Sequence, residues 1–205
     1  MASIESFDPD TLIAPFAQTP NEALRLLMEG NERFAMNTMT NLGQSLDILR
    51  QHTVEKQEPF ACVLSCADSR VPVELVFDQT IGQLFVARVA GNFVTPEILG
   101  SLEYGAAVLG TKLILVLGHS SCGAVTATMQ GNAVPGQISS LFAHIQPAVD
   151  RANGNLETAV KQNAKIQSDL VAKSSPLLAG LVKEGKLKIV AGYYDLATGR
   201  VSLLD

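Results

Sequence analysis

Two apolar runs, residues 60–64 and 113–117, are each followed at once by residue types that bind metals: Cys66-Ala67-Asp68-Ser69-Arg70 after the first and His119-Ser120-Ser121-Cys122 after the second. Continuous apolar runs of this length suit strands buried on both faces, as in a parallel sheet. Parallel strands present their C-terminal ends along one edge, where the sites of open α/β folds form. The chain is therefore expected to bring Cys66, His119 and Cys122 to one place although the two stretches are far apart in sequence.

Two thiolates and an imidazole suit zinc, which prefers sulfur and nitrogen donors in a tetrahedron. A structural site closes with four protein ligands. Three soft donors leave one position open, as in a catalytic site, where the pKa of water falls from about 15.7 to about 7. Asp68 lies two residues from a ligand and can reach the metal or its water. Arg70 can grip Asp68 in a two-pronged contact and keep it off the ion; released, Asp68 could fill the fourth position.

The pair C-x-D-x-R and H-x-x-C, each after an apolar strand, resembles the β class of carbonic anhydrases, and the likeness runs from about residue 20 to about residue 194. The resemblance implies reversible hydration of carbon dioxide to bicarbonate by zinc-bound hydroxide, with one zinc per chain on Cys66, His119 and Cys122. Asp68 and Arg70 would be the catalytic pair. It further implies a substrate cleft formed by Gln57, Phe85, Tyr104 and Gly123, and N-terminal helices wrapped around a partner subunit in a homodimer or dimer of dimers. Two departures stand out. Some members hold an allosteric bicarbonate ion with a tryptophan, an arginine and a tyrosine. Arg88 and Tyr194 match the last two, but Val63 stands where the tryptophan would be, which argues against that control; Arg88 could instead serve a subunit salt bridge. The stretch Arg88-Val89-Ala90-Gly91-Asn92 also differs from the family's usual form at residue 89. The same scaffold could hydrolyse carbon disulfide or carbonyl sulfide. A non-catalytic zinc-containing or nucleotide-binding α/β module is disfavoured, because no G-x-G-x-x-G follows a strand and no fourth soft donor closes the site.

Composition narrows the partners. The 205 residues suffice for one α/β domain spanning 1–205, with 1–18 as an N-terminal arm. Charged residues make up 17% against 47% hydrophobic, and so little charge is expected of a chain that hides surface in an oligomer. The net charge of -5 and the lack of a Lys/Arg cluster argue against nucleic acid or an anionic membrane. No apolar run reaches about 18 residues and no basic leader is visible, so no membrane span or secretory signal is expected. Three cysteines, an odd number, favour reduced thiols in a cytoplasm over a disulfide framework. Cys62, inside the first strand, reads as core. His52 and His144 read as structural or exposed.

Between the motifs the pattern alternates strand and helix. Thr19-Pro20-Asn21-Glu22 starts a helix that runs to about residue 36, and a second helix is expected over 43–52. Strands are expected at 60–65, 83–89, 112–118, 186–194 and 200–204. Helices are expected at 71–77, where Pro72 suits the first turn, at 95–109 with Gly100 and Gly105 allowing close packing, and at 122–130, 138–153, 156–173 and 176–184. The expected fold is α/β: a mainly parallel central sheet flanked by helices, ending in an antiparallel edge strand.

Overall fold

The computed structural model describes residues 17–40 and 53–204. Residues 1–16 of the expected arm and the helix expected at 43–52 lie outside the described residues. Five strands form one sheet in the order β2-β1-β3-β4-β5: β1 (Ala61–Ser65), β2 (Leu84–Arg88), β3 (Leu113–His119), β4 (Lys188–Tyr194) and β5 (Val201–Leu204). The first four run parallel, and β5 returns antiparallel against β4. The chain steps from β1 outward to β2, then crosses back to place β3 on the other side of β1. The winding direction reverses there, at the C-terminal ends of β1 and β3, which is where open α/β folds form their sites.

The strand sequences explain the layers. Every residue of β1 and β3 is buried, and alternate side chains enter opposite cores. Ala61, Val63, Leu113, Leu115 and Leu117 meet helices α1 (Pro20–Ala35) and α2 (Val73–Val76) through Ala23, Leu27, Val73 and Val76. Cys62, Leu64, Ile114 and Val116 meet α3 (Pro96–Glu103) and α7 (Pro176–Lys183) through Leu102 and Leu178. A third cluster gathers Cys66, Cys122, Phe93, Val125, Ile145 and Val160 around α4 (Gly123–Gln130), α5 (Phe142–Asp150) and α6 (Leu156–Ser174). Local signals set the helix starts. Thr19 and Glu22 form a reciprocal cap on α1, and Asn155 and Ser175 cap α6 and α7. Among the described residues no helix is long and apolar enough to cross a membrane.

Three local expectations need correction. The helix expected over 95–109 is α-helical only to Glu103; it then widens into a π turn, Tyr104–Val108. There Gly105 lies so near the core that a Cβ would stand 2.3 Å from Cys62 Sγ. Gly100 does not share that role, since a Cβ there would meet nothing within 4 Å. The helix expected from residue 138 begins as a 3-10 turn, Ile138–Leu141, and α5 ends at Asp150. Pro72 is the N-cap of α2 rather than part of its first turn.

Candidate metal centre

Cys66 directly follows β1, and His119 is the last residue of β3. Adjacent parallel strands bring these ends together. The chain then turns through Ser121 in the left-handed region, at φ 55, and Cys122 becomes the N-cap of α4. That turn is fastened to β4: Ser120 N–H donates to the Tyr194 carbonyl at 2.9 Å, and the Leu196 N–H donates to Ser120 Oγ at 2.9 Å.

The ligating atoms of Cys66, His119 and Cys122 all lie within 4.8 Å of one another, and all three residues are buried. The sulfurs are 4.0 Å apart. Two sulfurs at about 2.3 Å from one tetrahedral ion would stand about 3.8 Å apart, so the spacing suits zinc. His119 supplies the second test. Its Nδ1 lies 2.9 Å from the Ser120 carbonyl, a contact that requires the proton on Nδ1. Nε2 is then a bare lone pair, buried and without a hydrogen-bond partner among the described residues. An unpartnered buried acceptor beside two thiols is costly unless a cation fills the space. The donor set therefore fits zinc.

Without a cation the two thiols share a proton. Cys66 is pulled down chiefly by a hydrogen bond from Cys122, with the Gly91 N–H adding to it. Cys122 is driven up by that same contact and by burial. A divalent ion removes the need for the shared proton, because a coordinated thiol ionises outright. Main-chain N–H groups already face both sulfurs, from Gly91 and Asp68 at Cys66 and from Val125 and Ala124 at Cys122.

Asp68 lies beside the triad with Oδ2 3.8 Å from His119 Nε2. It does not join the three donors. Arg70 Nε and Nη2 donate to its two oxygens at 2.9 and 2.8 Å, and the Arg70 N–H adds a third bond to Oδ1 at 2.9 Å. Arg70 Nη2 also reaches the Ser121 carbonyl at 3.2 Å, tying the two motifs together. The guanidinium holds the Asp68 carboxyl well below the usual carboxylate range. Arg88 works on the same loop from the end of β2. It donates to the Cys66 carbonyl at 2.9 Å and the Asp68 carbonyl at 2.7 Å, contacts that composition and spacing did not suggest. Val63 and Tyr194 lie in the core on the α1 side of the sheet.

The remaining cleft residues divide. Gly123 opens α4 next to Cys122; it is exposed, and a Cβ there would meet nothing within 4 Å. Phe85 and Tyr104 form a tilted ring pair with centroids 6.1 Å apart. Phe85 is level with Cys62 in the register, four residues and about 13 Å upstream of Cys66 at the rise of a strand. Gln57 is exposed and precedes β1, beyond its opposite end. Within one chain these three do not join the metal triad. Sequence reading gives Gly91 and Asn163 no role at the site: Gly91 enters only as part of the 88–92 stretch and Asn163 carries no motif, yet the Gly91 N–H meets Cys66 Sγ and the Asn163 side-chain amide meets the Gly91 carbonyl.

An α/β sheet with two thiols and an imidazole gathered at its winding reversal, with no fourth soft donor among the described residues and a paired Asp and Arg beside them, has the build of a zinc enzyme. The carbonic anhydrase family model matches residues 61–201. Carbonic anhydrase 2 of Mycobacterium tuberculosis is 36% identical over 195 residues, covering 91% of this chain and 93% of its own. The Pseudomonas aeruginosa carbonic anhydrase is 31% identical, covering 89% and 88%. Among solved structures, the Coccomyxa β-carbonic anhydrase in complex with acetazolamide superposes with a TM-score of 0.66 at 26% identity, covering 88% of this chain and 86% of its own. The β-carbonic anhydrase CcaA shares the fold with a TM-score of 0.72 at 24% identity, covering 89% and 87%. The chain belongs to the carbonic anhydrase family, in its β class.

Proposed function

We propose that this chain interconverts carbon dioxide and bicarbonate at a zinc ion held by Cys66, His119 and Cys122. The observation that carries the assignment is the unpartnered, buried Nε2 of His119 facing two thiols within 4.8 Å. When bound, zinc supplies a Lewis acid that makes water acidic near neutral pH. The protein does the rest. Asp68 presents Oδ2 toward the open side, accepts a proton contact from the attacking water and so fixes where its lone pair points. Arg70 keeps that carboxylate ionised and away from the ion. Gly123, with no side chain beside Cys122, leaves the approach to the open side clear.

We place Gln57, Phe85 and Tyr104 on the cleft wall of a second copy's centre, because Gln57 precedes β1, Phe85 on β2 stands level with Cys62, and Tyr104 pairs with Phe85, all upstream of the Cys66 end of the sheet. Solved relatives of this fold include tetrameric β-carbonic anhydrases from Sordaria macrospora, which supports a homo-oligomer built on dimers. The proposed compartment is the cytoplasm, a reading supported by buried cysteines that are all free. The deciding test measures zinc content and carbon dioxide hydration on the same sample. The parent should carry one zinc per chain and be active, and Cys66→Ala should lose both together. Full activity without zinc would overturn the assignment.

A further inference from the structure

Gly91 lies between the metal centre and helix α6, and several constraints meet on it. Its N–H donates to Cys66 Sγ at 3.3 Å. Its φ is +88, and a Cβ would come 2.6 Å from Ile145 Cδ1 and 3.3 Å from Ala124 Cβ, so only glycine fits there. Its carbonyl accepts a hydrogen bond from Asn163 Nδ2 at 2.8 Å.

Asn163 is 1% exposed, a polar side chain sunk in the helix face that packs on the sheet. It is braced one turn along α6 by Gln167, also buried. Gln167 Nε2 donates to Asn163 Oδ1 at 3.4 Å and to the His144 carbonyl at 3.1 Å, while its Oε1 accepts the Val94 N–H at 2.9 Å. Two stacked amides thus grip the 91–94 segment at two points. The helix that carries them is seated hard against β3. At Gly118, next to His119, an added Cβ would stand 2.9 Å from Val160 Cγ1 and 3.5 Å from Ala164 Cβ.

We infer that Asn163 is a positioning residue for the metal thiolate of Cys66, acting through Gly91. This rests on the zinc assignment above and adds a role for α6 in it. Two thiolates feed electron density to the ion and blunt its Lewis acidity. An N–H aimed at a thiolate sulfur draws some of that density back and fixes the direction of the sulfur lone pair. The Gly91 N–H can do so only while its residue is held in the left-handed conformation, and Asn163 anchors the carbonyl of that same residue. A purely structural Asn163 would satisfy a loop carbonyl and contribute to folding, with no effect on the metal.

The two roles separate in the zinc- and cobalt-loaded full chain. Replacing Asn163 by Leu should speed zinc transfer to a chelator about tenfold to a hundredfold, the usual effect of removing an outer partner of a ligand. It should lower kcat with KM little changed, and shift the sulfur-to-cobalt charge-transfer band to lower energy. The control is Asn31→Leu. Asn31 is also a buried amide, carried by α1 and donating to the Val76 and Gly199 carbonyls; its loss should cost stability but leave the band and the zinc transfer rate alone. An Asn163→Leu protein that is folded and zinc-loaded, with parental band and transfer rate, overturns the positioning role while leaving the zinc site intact. A parent that binds no zinc overturns the site itself. Should Asn163→Leu fail to fold, the unaltered chain decides. Loaded with cadmium-113 and labelled at glycine, it should show coupling between the Gly91 amide and the metal through sulfur, and absence of that coupling refutes the role.

Discussion

Replacing Asp68 by Asn exchanges one oxygen for an NH2 group and should abolish most turnover while sparing the metal. The carboxylate accepts three bonds from Arg70, two at Oδ1 and one at Oδ2. An amide oxygen can keep the two at Oδ1. Its NH2 then faces Arg70 Nη2 across the former 2.8 Å contact, donor against donor, so the guanidinium must move. The group toward the open side of the triad also turns from acceptor to donor, and the attacking water loses its proton acceptor. A positioned acceptor of this kind is worth about 10²–10⁴-fold, or about 2.7–5.5 kcal/mol of barrier. All three ligands remain, so zinc content should stay near one per chain, and KM should barely move because the change bears on the transition state. The assay is stopped-flow hydration with zinc determined on the same protein. The pH profile adds a check. Arg70 depresses the Asp68 pKa, so the carboxylate is ionised throughout the neutral and alkaline range. Its contribution to stability is present above the unfolded pKa of about 3.9 and is lost only as pH falls through the lower folded value. The ionisation of water at the metal, which sets activity near neutral pH, is therefore a separate titration, and Asp68→Asn should scale the pH profile down without moving its midpoint. A zinc-replete Asp68→Asn protein with parental kcat would refute the pairing.

Other outcomes follow from the same geometry. Cys62 is fully buried, with its thiol pushed up to about 12 by burial; it should resist alkylation at about pH 8 in the folded protein, and Cys62→Ala should keep hydration activity. Gly105→Ala should cost about 1–3 kcal/mol by overpacking against Cys62 Sγ, and Cys62→Ala in the same chain should recover part of it, read as a double-mutant cycle by denaturant melts. Cleft sharing between copies predicts complementation: co-assembled Cys66→Ala and Tyr104→Ala chains should exceed the activity of either homo-oligomer, and no gain on mixing would return Tyr104 to a structural role. Zinc should leave as pH falls, since thiolates must be ionised to bind it; metal content after dialysis across acidic pH values checks this.

The sequence made the metal centre legible because its signals are chemical and rare. Cys and His at the ends of two apolar runs leave few alternatives, and the strands that carry them follow from burial on both faces. The same reading placed all five strands and the antiparallel return. It could not see where Phe85 and Gln57 stand relative to the ion, because residue type says nothing of which copy's cleft a side chain lines. Nor could periodicity reveal the π turn after Glu103, which depends on how closely Gly105 approaches Cys62. Asn163 was least legible of all. An amide in an amphipathic helix looks like a surface residue until tertiary packing sets it against Gly91, 72 positions away in the chain.

The topology also explains why the three ligands are held in place. Two ligands stand at the ends of adjacent strands whose bonding is continuous to Ser65 and Leu117, and the third caps a helix pinned to β4, so none sits on a long loop. Asp68, on the turn between β1 and α2, is the carboxylate that stands beside the triad among the described residues. That turn is held twice: Arg88 fixes its carbonyls from β2, and Arg70 holds the carboxylate itself. Closing the site requires breaking both Arg70 side-chain contacts to Asp68, while the backbone under it remains clamped. A switch between open and shut would therefore run through side-chain rotation at Asp68 and Arg70, with the metal-binding frame unmoved. Arg70→Gln should consequently favour a carboxylate-bound ion in the cobalt spectrum while leaving metal content unchanged, and loss of the metal instead would show that the frame itself depends on Arg70.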